Sequence, residues 1–241
     1  GEWATFAKYY DPKLNFTELD CINGQYQLST GKRAEGFASA AKLWNVGKSQ
    51  PAACDTLFAM WAAEGQLTEA RRWERAKLAA QARNYPLANN LVKTLTTLAP
   101  QGQLLIDVAQ KPELLNQPSR FTPVNEAMSD VVSLGLRRLA RQDPERAMAL
   151  LDDYAQRMHF SRDEKVAIAR EIGLTLARRY DPRALDLMTR YDPALRDNTV
   201  SEWRARLLLR HGRWEEAYQL TQKMPSDLAS SNRWRYWQAR S

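Results

Sequence analysis

The sequence predicts an all-α protein, a right-handed α-superhelix (solenoid) of helical hairpins, on three observations. Helix-start signals recur from end to end, amphipathic windows of helical period lie between them, and one short pattern returns at repeat spacing. Strands have little support. Ten Gly and 11 Pro in 241 residues are too few for a turn-rich β-sandwich. The β-branched residues are scattered, and no Gly-rich phosphate loop follows an apolar run. With 44% hydrophobic and 26% charged residues the chain is a folding one, read here as a single domain over 1–241.

Asp-Pro marks the helix starts, at Asp11-Pro12, Asp143-Pro144, Asp181-Pro182 and Asp192-Pro193. The aspartate oxygen accepts a free amide at the N-cap, and proline lacks the amide that would otherwise be orphaned. Capping accounts for these aspartates without any active site. Between the starts, 124–141 places Met128, Val131, Val132, Leu134, Leu136 and Leu139 on one broad face, and 165–178 repeats the arrangement. About twelve helices are expected, joined by loops of about two to six residues. The stretch 111–123 is the longest expected loop.

The repeated pattern is Gly-x-x-x-Glu-(Ala/Gly). It occurs at Gly31 with Glu35-Gly36, at Gly65 with Glu69-Ala70 and at Gly212 with Glu216-Ala217. Gly31 and Gly65 are 34 residues apart, the period of tetratricopeptide-like helical hairpins. Glycine after a first helix takes the left-handed cap conformation freely, and Ala or Gly one turn into the second lets the two approach. Gly31, Gly65 and Gly212 are therefore the expected repeat-turn residues. Degenerate copies begin at Asp143 and Asp181. Trp44, Trp61, Trp73, Trp203 and Trp214 are expected to fill seams between helices. Trp234 and Trp237 share a face that no later helix covers.

The net charge of +7 is unevenly placed. Residues 1–136 carry 14 basic against 13 acidic side chains, and residues 137–241 carry 21 against 15. A basic half suits nucleic acid, an anionic membrane surface or an acidic polymer. No Lys/Arg block is present, however, so the arginines read as solvated helix faces and no nucleic-acid partner is expected. No run approaches the roughly 18 apolar residues of a membrane span. Cys21 and Cys54 are two thiols in a reducing compartment or a bridge in an oxidising one. The start at Gly1-Glu2-Trp3 and the end after Trp234-Arg235-Tyr236-Trp237 read as those of a processed or trimmed chain. His159 and His211 have no partner at metal-ligand spacing, and no nucleophile, zinc or nucleotide motif occurs, so no metal or cofactor is expected.

One segment is specific enough to point to a family. Leu43-Trp44-Asn45-Val46-Gly47-Lys48-Ser49-Gln50-Pro51-Ala52-Ala53-Cys54-Asp55-Thr56-Leu57-Phe58 resembles a stretch in the α-superhelical part of soluble lytic murein transglycosylases. Cys21 and the closing Trp234–Ala239 run match in type and order. The resemblance implies a periplasmic protein whose helical part forms a ring. It also implies a C-terminal lysozyme-like domain that cleaves peptidoglycan glycan strands to 1,6-anhydro-muropeptides. That domain's Glu-Ser, Gly-Leu-Met-Gln and Ala-Tyr-Asn signatures do not occur in this sequence. The chain is then expected to be a non-catalytic segment, monomeric, with peptidoglycan and its own catalytic domain as partners. The alternative is a stand-alone tetratricopeptide-like interaction scaffold.

Within this frame the cysteines fall into register. Cys21 lies ten residues before Gly31, and Cys54 lies eleven before Gly65. First helices of successive hairpins stack at roughly 8–10 Å between axes, close enough for a Cys21–Cys54 bridge. Glu35, Glu69 and Glu216 are the candidate acids for glycosidic cleavage. They recur with the repeat, which favours a capping or surface role over one unique catalytic site.

Overall fold

No strand forms among the described residues, 2–14 and 16–240 of the computed structural model, and the backbone hydrogen bonds run through helices and turns. The chain divides into two compact units, Gly1–Gln110 and Lys111–Ser241. Unit 1 comprises α1 (Glu2–Tyr9), α2 (Thr17–Ser29), α3 (Arg33–Trp44), α4 (Ala53–Ala63), α5 (Glu69–Gln81), α6 (Tyr85–Val92) and α7 (Ala99–Gln110). In unit 2, two 3-10 turns (Pro112–Asn116 and Pro118–Arg120) precede α8 (Glu126–Gln142), α9 (Pro144–Arg157) and α10 (Arg162–Arg178). It continues through α11 (Arg183–Tyr191), α12 (Asn198–Arg210), α13 (Trp214–Lys223), α14 (Ser226–Ala229) and α15 (Asn232–Arg240). The stretch 111–123, expected as loop, is largely these two 3-10 turns. No described helix is long and apolar enough to cross a membrane.

One reversal recurs between consecutive helices. After α2, Gly31 takes φ +82° and the Lys32 amide donates to the Gln27 carbonyl at 2.8 Å. After α4, Gly65 takes φ +69° and the Gln66 amide reaches Trp61 O at 3.2 Å. After α12, Gly212 takes φ +69° and the Arg213 amide reaches Leu208 O at 2.9 Å. Each is a bond from the third residue past the helix to the carbonyl five back, with a left-handed residue between. The same bond closes α5 and α10, from Asn84 to Ala79 O at 2.9 Å and from Asp181 to Leu176 O at 3.1 Å. There the left-handed residues are Arg83 (φ +61°) and Tyr180 (φ +56°), so five turns share one geometry and only three carry glycine.

Close packing follows the reversals at Gly31 and Gly212. A Cβ added at Gly36 would lie 2.4 Å from Leu28 Cδ2 and 3.2 Å from the Leu28 amide nitrogen, so α2 and α3 meet where only hydrogen fits. At the equivalent positions Ala217 is buried, whereas Ala70 is exposed. The core of the first two hairpins gathers Cys21, Ala40, Cys54, Leu57, Phe58 and Trp61. Cys21 on α2 and Cys54 on α4 are joined in a disulfide, with 4.9 Å between their Cα atoms. In unit 2, α10 is the central helix and packs against α8, α9, α11 and α12. The buried Tyr154 hydroxyl donates to Leu115 O at 2.8 Å, tying α9 to the first 3-10 turn, and burial pushes that phenol up.

Helix starts are capped mostly as their side chains allow. Asn125 accepts from the Met128 amide, Asp143 from Arg146 with Pro144 in the first turn, and Ser161 forms a reciprocal capping box with Glu164. Asp192-Pro193 starts no helix. Its carboxylate oxygens accept the amides of Arg196 (2.9 Å) and Asp197 (3.1 Å) and hold the loop before α12, whose cap is Asp197. Trp61, Trp73 and Trp234 are buried. The earlier helices cover Trp234, whose indole N–H points to Glu202 of α12 at 3.3 Å. Trp214 departs from the seam-filling expectation: it begins α13 beside the Gly212 turn, is 44% exposed and stacks on Trp237.

The shared reversal makes opposite demands on its residues. Replacing Gly212 with Val is expected to cost on the order of 1–2 kcal/mol, because a β-branched residue resists positive φ. Arg83→Gly at the matching turn is expected to leave stability unchanged or raised. Urea denaturation of the two variants checks both. A Gly212→Val chain as stable as the parent would contradict the turn's role.

Candidate functional site

A groove of about 510 Å³ opens in unit 2 between α11 and α13, with α12 beneath it. Helical period builds its floor. Leu185 on α11, Leu208 on α12 and Leu220 on α13 are buried and reach it from three helices. Leu195 joins them from the 192–197 loop, held at φ +54° by the aspartate that caps that loop. The rim is polar and mainly basic, with Arg190 from α11, Arg213 from the turn before α13 and Lys223 from the end of α13.

The cations are not equivalent. Arg213 forms two hydrogen bonds of 2.6 Å with Glu216, which raise the guanidinium and hold the carboxyl below its ordinary range. Arg204 is only 7% exposed, and burial draws its guanidinium below the usual value. One terminal nitrogen donates to Asp192 O at 2.9 Å, while its Nε has no partner. Arg190 and Lys223 are exposed, and among the described residues neither has an ion-pair partner. The remaining acid on the rim, Asp186, lies within electrostatic reach of Arg213.

A second cleft, of about 360 Å³, lies in unit 1 beside the segment 43–58. Its wall includes Trp44 and Phe58, and the buried Arg75 guanidinium sits 4.2 Å from the Trp44 ring centroid and 5.5 Å from that of Phe58. Asn84, which caps α6, reaches Gly47 O at 3.5 Å and so ties this segment to the next hairpin.

The candidate acids take separate local roles. Glu35 lies on the exposed first turn of α3. Glu69, in the first turn of α5, accepts the backbone amides of Leu98 (3.1 Å) and Thr96 (2.6 Å), which hold its carboxyl below the ordinary range. Glu216 is paired with Arg213. A glycosidase acid needs the opposite shift, toward the protonated form. Among the described residues no three His, Cys, Asp or Glu side chains group as metal ligands. Sequence reading missed Arg204 and Arg75. The available signal was positional: Arg204 stands four residues from both Val200 and Leu208 on the buried stripe of α12.

Fold and groove together define an all-helical protein of antiparallel hairpins that presents a concave, basic surface. Its homologues over 99% of its length are soluble lytic murein transglycosylases. The chain is 28% identical over 244 residues to that of Escherichia coli (strain K12), and 27% identical to that of Salmonella typhimurium (strain LT2), in each case spanning 37% of the relative. Among solved structures it is similar to an inactive mutant of the lytic transglycosylase Slt from Pseudomonas aeruginosa, with a TM-score of 0.97 and 67% identity. That match covers all of this chain and 39% of the other. The 70-kDa soluble lytic transglycosylase in complex with bulgecin A matches 94% of the chain at 25% identity, with a TM-score of 0.71, again over 37% of its own length. The chain thus spans well under half of the proteins it resembles. No family model matches it.

The Glu69 carboxylate gives the unit a pH signature. Its depressed folded pKa contributes stability that is fully present above the ordinary glutamate value of about 4.3 and lost as pH falls through the lower folded value. Glu69→Gln is therefore expected to be less stable than the parent at pH 7, with the difference closing toward pH 3. A gap in urea midpoint that stays constant across that range would contradict the assignment.

Proposed function

We propose that this chain is a non-catalytic helical segment of a periplasmic lytic transglycosylase, holding peptidoglycan for a catalytic domain elsewhere in the same polypeptide. The observation that carries this reading is similarity along the whole chain to a little over a third of murein transglycosylases. Three features support it. Glu69 and Glu216 are held toward the ionised form, unlike a glycosidase acid. The Cys21–Cys54 bridge suits an oxidising compartment such as the periplasm. The surplus of basic side chains lies in the half that carries the groove, and murein stem peptides bear carboxylates.

In this reading both units belong to one superhelical domain that forms part of a ring, and the ring acts as a monomer. Its contribution is positional. Holding the polymer raises the local concentration of scissile bonds without any group of this segment touching them.

Incubation with purified sacculi tests the reading. The chain is expected to pellet with sacculi, to release no anhydro-muropeptides, and to be retained less as salt rises. Release of anhydro-muropeptides that Glu216→Gln abolishes would overturn the non-catalytic assignment, and failure to pellet at low salt would overturn the holding role.

A further inference from the structure

The groove between α11 and α13 has a lining that selects among the parts of murein. It contains no aromatic ring. Sugars are ordinarily gripped by ring faces together with neutral hydrogen-bonding groups, and single-stranded nucleic acid by aromatic stacking. Neither grip is offered here. Instead the floor is leucine and the rim carries more cations than acids, with Arg190, Arg213 and Lys223 against Asp186 and Glu216, a combination suited to a short ligand with small alkyl groups and carboxylates.

Two of the three cations on the rim are free to serve this purpose, Arg213 being tied to Glu216. Several arginines elsewhere in unit 2 are committed to acids, as Arg141 is to Glu171, Arg170 to Asp197, and Arg183 to Asp181 and Glu145. Arg190 and Lys223 have no such partner among the described residues, and they flank the groove from opposite helices. Below them Arg204 is more than nine-tenths buried, and its Nε lacks any acceptor. A buried donor left unpaired is costly, so Arg204 is a cation in the groove wall that is short of acceptors. The volume of about 510 Å³ falls in the range of small-ligand sites.

We propose that this groove binds the peptide stem of murein, taking its carboxylates on Arg190, Lys223 and Arg204 and its alanine methyls on Leu185, Leu208 and Leu220. The assignment rests on the proposed function and deepens it, since it makes the stem rather than the glycan the part that is held. Arg190 and Lys223 act as the two ends of a clamp, one from each helix that walls the groove. Arg204 is fixed in the groove wall by its bond to Asp192 O, so little side-chain entropy is lost when the ligand arrives.

Calorimetric titration of the full chain with N-acetylmuramyl-L-alanyl-D-glutamate tests the proposal, with the neutral tetramer of N-acetylglucosamine as the comparison ligand. The muramyl dipeptide is expected to bind and the tetramer to bind much more weakly. The double variant Arg190→Gln/Lys223→Gln is expected to lose about tenfold or more in affinity. Lys42→Gln/Lys93→Gln removes the same charge from exposed sites in unit 1 and is expected to bind as the parent does. Equal losses in the two double variants, no loss in either, or preference for the neutral tetramer would overturn the groove assignment. Sacculus pelleting separates the two levels. If the groove variant pellets like the parent, the stem site is wrong and the holding role stands; if the parent itself does not pellet, both fall.

Discussion

A helix of at most 17 residues holds together in water only when a neighbour covers its apolar face, and here the neighbour is supplied by a tight left-handed reversal. Five times the third residue past a helix donates back to the carbonyl five residues earlier, and the chain returns along the helix it has just left. The reversal satisfies a carbonyl that would otherwise be orphaned at the helix end, and it fixes which faces meet. At Gly36 the approach leaves no room for a methyl group. Leucine, alanine and tryptophan then close the seam, and the bridge between α2 and α4 joins one hairpin to the next. The groove in unit 2 depends on the same device, because the Gly212 turn sets α13 opposite α11 across α12.

Electrostatics are layered on this frame and do not create it. Ion pairs such as Arg33–Glu64 and Arg141–Glu171 link residues about thirty positions apart, so they join successive hairpins. Exposed pairs of this kind contribute little stability, typically about 0–1 kcal/mol each. Their larger effect is on the surface field. Paired arginines are neutralised locally, and the net positive charge of the chain is expressed where no acid stands opposite. At the α11–α13 groove that leaves Arg190 and Lys223 over a leucine floor, with the buried Arg204 in the same lining.

The all-helical class was legible because an apolar helical period runs through 124–141 and 165–178, which form α8 and α10, and the turn glycines at 31, 65 and 212 agree with it. Two reversals were not legible. Arg83 and Tyr180 adopt the left-handed conformation without the residue that normally marks it. Tyr180 is held between Trp203 and the Arg210 guanidinium, 4.8 Å from its ring centroid. Asp192-Pro193 misled in the other direction, since the same carboxylate that caps a helix also caps a loop. The groove escaped sequence reading because its residues come from three helices and a loop. Charge counting, moreover, treats the buried Arg204 like any solvated arginine.

If the helices depend on one another as this account holds, the bridge between α2 and α4 supports all three helices that share their core. A bridge closing a loop of 33 residues contributes about 3–4 kcal/mol in the chain-entropy model. Amide hydrogen exchange of the chain, measured with the bridge intact and in a Cys21→Ser/Cys54→Ser variant, tests that dependence most directly. The account predicts that α2, α3 and α4 lose protection together, by a factor on the order of 10²–10³ for their slowest amides. Loss confined to the residues beside the bridge, or no loss at all, would contradict it.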